Sequence, residues 1–215
     1  MTRIEAITRD QLFTDIFRHL PVTATIAIIG KMRTGKTTFA TLFANHIKNH
    51  YEKQGDTVYL DVFAPTDLAN LESLESRLRN QSKDVNVLIF DDLSFIAAGR
   101  NKFVNNFLNI ITRIAHITQS DYNYIFFIGH YTTALSPFLR AANSVVLTSI
   151  SHPEIPALKE LFTLSSLYDY LEYHTQYPNR YIYLIKYHVH ERIIDFTIED
   201  IPRPKKKREK TSPQA

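Results

Sequence analysis

The sequence contains no cysteine, which excludes disulfides, thiolate metal sites and cysteine nucleophiles together. That leaves the redox compartment open, with an intracellular protein as the simpler reading. No apolar run approaches the roughly 18 residues needed to cross a bilayer. The opening stretch, MTRIEAITRDQLFTDIFRHL, sets acids among its apolar positions and lacks the continuous apolar core of a signal peptide. Leu12, Phe13, Ile16, Phe17 and Leu20 mark one face of a short amphipathic helix instead, in an N-terminal extension over residues 1–24. Glycine is scarce as well, with five in 215 residues.

Net charge is small, and its distribution is uneven. The whole chain stands at +3, but residues 201–215 hold six lysines and arginines and one glutamate, so residues 1–200 stand at −2. The basic character therefore lies in the tail PRPKKKREKTSPQA. Proline-flanked and without large apolar residues, that tail is expected to be disordered. It reads either as a solubilising end or as a contact for nucleic-acid phosphates or another anionic partner.

The apolar fraction of 44% is enough for a full core, and the length suits one α/β domain over residues 1–200. Short β-branched runs at TIAIIG (25–30), TVYLDV (57–62), VNVLIFDD (85–92), NYIFFIG (123–129) and SVVLTS (144–149) predict strands covered on both faces. Helix-like stretches near 36–50, 66–80, 100–118 and 132–141 lie between them, and the alternation predicts a doubly wound fold with a mostly parallel sheet flanked by helices. A further helix-like stretch, IPALKELFTLSSLYDYLEYH, precedes RYIYLIKYHVHERIIDFTI. This last segment predicts a C-terminal β-hairpin around a short polar HVHER link, extending one edge of the sheet.

Two of the five glycines sit five residues apart in IAIIGKMRTGKTTFA. Gly30 to Thr37 reads G-K-M-R-T-G-K-T, a full match to the phosphate loop G-x-x-x-x-G-K-[ST]. A strand precedes it and a helix follows, the context that motif requires. Gly30 is expected to let the chain turn sharply out of the strand, and Gly35 to let backbone N–H groups reach phosphate oxygens. Lys31, Met32, Arg33, Thr34 and Thr38 complete the nucleotide-binding stretch, and Arg33 is placed to touch phosphate. Lys36 reaches the β- and γ-phosphates, and the Thr37 hydroxyl ligates Mg²⁺. The helix beginning at Lys36 turns its positive end to the anion.

VNVLIFDD supplies the second magnesium acid, Asp91, at a strand end. Asp92 then stands where a base would orient and deprotonate the attacking water, one methylene shorter than the more usual glutamate. The pair also reads as capping residues of a following helix. Strand NYIFFIG ends at Gly129-His130, and His130 is a candidate γ-phosphate sensor for an ATPase that inserts a strand between the loop strand and the acid strand. Arg100, Arg113 and Arg140 are candidates for an arginine supplied to a neighbouring subunit, with Arg140 the first choice. His46 with His50, and His188 with His190, have spacings that two metal ligands share, but neither pair has an evident third ligand. The tyrosines at 168, 170, 173, 177, 181, 183 and 187 read as edge packing or as stacking partners for an adenine base.

GKMRTGKTT, VLIFDDLS and YIFFIGHYTTALSPFLRAANSVVLTS together resemble the FtsK/HerA-type genome-packaging ATPases of membrane-containing icosahedral viruses, especially those of archaeal turreted viruses. The resemblance spans about residues 25–150, and Arg140 with Asn143 matches the family's Arg-x-x-Asn pattern. Two positions depart from it: His130 replaces a common glutamine, and Asp92 replaces a glutamate. The resemblance implies a RecA-like P-loop NTPase that uses ATP and Mg²⁺ in a ring, taken as a hexamer, to push double-stranded DNA into a preformed capsid. It further implies work in the cytoplasm of an infected cell, or at the virion vertex with capsid proteins. Lys102, Arg113 and the tail are then candidate DNA contacts. The alternative is an AAA+ helicase loader or transposition helper acting on a partner protein, and a third reading is a nucleoside or nucleotide kinase.

Overall fold

The computed structural model of the chain describes residues 4–5, 7–93, 101–130 and 141–196. Arg100, Arg140, the expected helix before residue 141 and the basic tail lie outside the described residues, as does the side chain of Lys102.

Eight strands build one sheet: β1 (Ile4–Glu5), β2 (Thr23–Ile29), β3 (Val58–Phe63), β4 (Val85–Phe90), β5 (Tyr122–Gly129), β6 (Ser144–Leu147), β7 (Ile182–Tyr187) and β8 (His190–Asp195). Their order across the sheet is β1-β8-β7-β6-β2-β5-β4-β3. Pairing is parallel from β6 through β2, β5 and β4 to β3, and antiparallel from β6 to β7 and from β7 to β8. The strand that ends at the candidate sensor position, β5, is inserted between β2 and β4, as the sequence predicts. The inner strands β2, β4, β5, β6 and β7 are buried along most of their length, β4 at all six positions and β6 at all four, whereas β3 and β8 are largely half-buried. Continuous apolar runs of this kind belong in a sheet with helices on both faces.

The terminal hairpin is present, but the polar link is shorter than HVHER. Only His188 and Val189 turn the chain, His188 at φ 52°, while His190, Glu191 and Arg192 already pair in β8. A residue in that left-handed region lets a two-residue turn match the right-handed twist of the paired strands. The sheet edge beyond it was not expected: the two-residue β1 pairs parallel with Ile193 and Ile194 of β8. So short a strand carries no legible periodicity.

Helices α1 (Arg9–Arg18), α2 (Lys36–Glu52), α3 (Leu71–Gln81), α4 (Asn101–Thr112), α5 (Ile114–Thr118), α6 (Ile155–Leu158) and α7 (Leu164–Gln176) cover the sheet. The expected helix 66–80 divides, because Pro65 opens a short 3₁₀ turn and Asn70 then caps α3 through its side-chain oxygen, accepting from Glu72 N and Ser73 N at 3.1 Å each. The expected helix 100–118 also breaks, at Arg113 (φ −100°, ψ 8°).

The core has two halves, one on each face of the sheet. On one, α1 and α2 bury Leu12, Phe13, Ile16, Phe39, Phe43 and Ile47 against β2, β4 and β5. On the other, Leu74, Leu78, Phe107, Ile114, Leu158 and Leu167 pack from α3 to α7. Phe13 stacks on Phe43 at 4.9 Å, with 13° between the ring planes. The N-terminal helix is thus part of the core, sealing α2 from outside. Asn86 and Asn123, both fully buried, sit opposite each other in the β4–β5 ladder and bond side chain to side chain at 3.0 Å. A one-residue slip would strand both amides in apolar surroundings, so the pair fixes the register.

Candidate functional site

The phosphate loop leaves β2 at the centre of the sheet, and each neighbour holds it. Gly30 N donates to Gly129 O of β5 at 3.3 Å. On the other side, the segment after β6 runs directly beneath the loop. Lys31 N donates to Ser149 Oγ at 2.9 Å, and the Thr34 and Thr148 hydroxyls lie 2.6 Å apart. This explains Gly30 more fully than a sharp turn does: a Cβ there would lie 2.1 Å from Thr148 Oγ1 and 2.8 Å from Ser149 N. The glycine is required by a close approach from β6.

Gly35 has a different constraint. It is the N-cap of α2 at φ 80°, a left-handed conformation that suits glycine, and no side chain caps the helix. The first-turn N–H groups therefore face the cavity, where the helix dipole favours an anion. Tyr183, from β7, donates its hydroxyl to Thr34 O at 2.9 Å, and a Cβ on Gly35 would meet that hydroxyl at 2.5 Å. Tyr183 is 1% exposed, and burial pushes its phenol far above the ordinary tyrosine range. It stays a neutral donor.

A cavity of about 380 Å³ opens over the loop, lined by Arg33, Thr34, Gly35, Lys36, Thr37, Thr38, Asp91, Asp92 and His130. Six of the nine loop residues predicted from sequence line it. Gly30 and Lys31 support the loop from below, and Met32 projects outward at 73% exposure. Lys36 is buried to 4% exposure and donates from Nζ to Lys31 O at 2.6 Å. Burial lowers its ammonium to about 8, against the opposing pull of Asp91 and Asp92.

Across the cavity, Thr37 Oγ1 donates to Asp91 at 3.2 Å from Oδ2 and 3.4 Å from Oδ1. The strand stops at Phe90, so both acids lie just past β4 rather than within it. Asp91 Oδ1 also accepts from Asp92 N at 2.9 Å, which fits the turn that Asp92 makes at φ 48°. Aspartate tolerates that left-handed region better than most residues. His130 Nε2 stands 3.5 Å from Asp92 Oδ1, so the histidine at the end of β5 faces the second acid.

Other candidates fall elsewhere. Arg113 lines a separate groove with residues of α3 and α4. Asn143 bonds to the start of β2, its side-chain oxygen accepting from Thr25 N at 2.8 Å. His46 packs against Phe13, and His50 bonds to Gln54. His188 and His190 do not share a strand face; with His19 they form a surface cluster of rings about the hairpin turn. Among the described residues, no group of three or more His, Asp or Glu side chains is arranged to hold a metal ion. Tyr170, Tyr183 and Tyr187 are core residues, while Tyr168, Tyr177 and Tyr181 are exposed. Sequence reasoning missed Thr148, Ser149 and Tyr183, which hold the loop. The Thr-Ser after the SVVL strand was the legible signal, being polar where the strand's apolar run ends.

No family model matches the chain, and no curated protein matches it. Solved structures do. The genome packaging NTPase B204 from Sulfolobus turreted icosahedral virus 2 in complex with sulfate aligns at TM-score 0.56 and 12% identity, over 80% of this chain and 96% of that one. The same protein in complex with ATP-gammaS aligns at 0.53 and 11%, over 81% and 97%. With AMPPCP it aligns at 0.53 and 12%, over 80% and 97%. At such identity the likeness is one of fold. Together with the loop, its strand order and its paired acids, it makes this chain a P-loop NTPase in fold, with a mostly parallel sheet between helices and an antiparallel C-terminal hairpin.

Proposed function

We propose that the chain hydrolyses ATP with magnesium at this loop and uses the energy to move double-stranded DNA into a viral capsid. The observation that carries the hydrolytic part is the convergence of Lys36, the Thr37–Asp91 pair and the Asp92–His130 pair on one cavity. Lys36, now held by Lys31 O, exchanges that carbonyl for phosphate oxygens. The Thr37 hydroxyl and the Asp91 carboxylate are hard oxygen donors already within reach of one another, and this fits a magnesium site shared with the phosphates. When bound, the ion neutralises charge on the β- and γ-phosphates.

Asp92 orients a water against the γ-phosphorus and takes its proton, with ADP as the leaving group. His130 holds the Asp92 carboxylate in place and senses the γ-phosphate. Arg140 of a neighbouring subunit completes the site in a ring, taken as a hexamer. Residues 1–200 form the ATPase domain, and residues 201–215 a basic tail.

Support for the packaging motor comes from the sequence resemblance and from the fold shared with a viral packaging NTPase. The motor acts in the cytoplasm of an infected cell, on capsids being filled. The test is phosphate release with and without duplex DNA, on the wild type and on Arg140→Ala. Stimulation by duplex DNA, with recovery of activity when Arg140→Ala subunits are mixed with Asp92→Asn subunits, supports a shared-site translocase. Stimulation by a partner protein alone would favour a loader, and phosphate transfer to a small acceptor a kinase.

A further inference from the structure

We propose that Tyr181 is the platform on which the nucleotide base stacks, so that β7 and the residue leading into it supply both the anchor of the phosphate loop and the seat of the base. The inference rests on the nucleotide-binding reading above and deepens it.

The sheet order sets the direction of the ligand. The carboxylates follow β4 and His130 follows β5, both on one side of the loop strand β2. A triphosphate with its γ end at that acidic, metal-binding side extends the other way, over the N-terminus of α2 and toward β6 and β7. The cavity at the acidic end has no apolar side chain in its lining, so it holds phosphates and offers the base no surface. Tyr181 lies on the opposite side, immediately before β7. Its ring atoms Cδ1 and Cε1 are 3.5 and 3.6 Å from the point a Gly35 Cβ would occupy, beside the N-cap of the phosphate-binding helix.

The ring is also available. Tyr181 is 41% exposed. Its neighbour Tyr177 carries the Arg180 guanidinium 5.3 Å over its face. Tyr183, two residues on and inside β7, is the loop's buried anchor. One phenol thus lies under the loop and the other out beside it. The backbone there is held: Phe196 N donates to Tyr181 O at 2.6 Å, and Arg180 pairs with Asp195 at 2.7 Å. A solvent-facing aromatic ring on a held backbone beside the phosphate site is the chemistry that receives a nucleobase.

The experiment is titration calorimetry of the full chain with the non-hydrolysable analogue AMP-PNP and, separately, with inorganic tripolyphosphate, which has no base. Both are run with magnesium on the wild type, Tyr181→Ala, Tyr181→Leu and Tyr181→Phe. The expected result is that Ala and Leu weaken AMP-PNP binding by roughly five- to hundredfold, that Phe binds like the wild type, and that tripolyphosphate affinity is the same in all four. Unchanged AMP-PNP affinity in Tyr181→Ala would overturn the proposal while leaving the nucleotide site intact. Equal losses for AMP-PNP and tripolyphosphate would overturn it too, making Tyr181 a support of the loop. If neither ligand bound the wild type, the nucleotide-binding reading itself would fall.

Discussion

The Tyr183 hydroxyl, carried by the C-terminal hairpin, donates to the Thr34 carbonyl inside the phosphate loop at 2.9 Å, across 149 residues of sequence. The loop is therefore not held by its own strand and helix alone. Gly129 braces it from β5, Thr148 and Ser149 brace it from behind β6, and Tyr183 fastens it from β7. A loop that must offer backbone N–H groups to an anion gains from such bracing, because the entropy of ordering it is lost on folding and not on binding.

Removing that hydroxyl tests the brace. Tyr183→Phe keeps the buried ring and should leave the fold intact, but Thr34 O loses its donor. A neutral hydrogen bond is worth about 0.5–1.5 kcal/mol net, so affinity for magnesium and a non-hydrolysable ATP analogue should fall by about two- to tenfold. Calorimetry on the pair measures it.

Gly30→Ala should be far more disruptive than a surface glycine substitution. Its Cβ would lie 2.1 Å from Thr148 Oγ1 and 2.8 Å from the backbone N of Ser149. A paired Thr148→Ala change removes only the first clash, and so should restore part of the lost melting temperature and not all of it. By contrast, Gly55→Ala meets no atom within 4 Å, although its φ of 95° strains any other residue; it should cost only about 1–2 kcal/mol.

The pH dependence has a definite sign. Lys36 titrates near 8 in the folded, ligand-free chain because burial penalises its charge, while in the unfolded chain it titrates near 10.5. Between those values the unfolded chain binds more protons, so stability rises with pH across that window. Triphosphate binding needs the ammonium, so affinity should fall by about tenfold from pH 7 to pH 9. Lys36→Arg, which does not titrate there, should show a flat profile in the same calorimetric series.

The N-terminal helix should behave as core. Phe13 is 1% exposed and contacts Phe39, Phe43 and Phe196. Phe13→Ala should lower the unfolding free energy by about 3–5 kcal/mol, measured by denaturant titration. A loss under 1 kcal/mol would mean that α1 merely rests on the surface.

Much of this was legible. The β-branched runs marked the five parallel strands to within a few residues, because strands covered on both faces have little freedom in side-chain type. The loop motif located the cavity, because bare backbone near phosphate demands glycine. What could not be read were contacts made at long range. The polar Thr148-Ser149 pair marks where the SVVL run ends but does not name the loop it holds, nothing near Tyr183 announces its bond to Thr34, and β1 is too short to show a period. The helix breaks at Asn70 and Arg113 were hidden for another reason: a capping side chain or a kinked φ interrupts a helix without interrupting its apolar pattern.

The central claim is that Lys36 and Asp92 act on one ATP, the first by binding its phosphates and the second by activating water. It is tested most directly by measuring phosphate release and analogue binding together on the wild type, Lys36→Ala and Asp92→Asn. The account predicts turnover by the wild type, loss of both binding and turnover in Lys36→Ala, and retained binding with turnover reduced by about 10²–10⁴-fold in Asp92→Asn. Full turnover in Asp92→Asn, or analogue binding unaffected by Lys36→Ala, would contradict it.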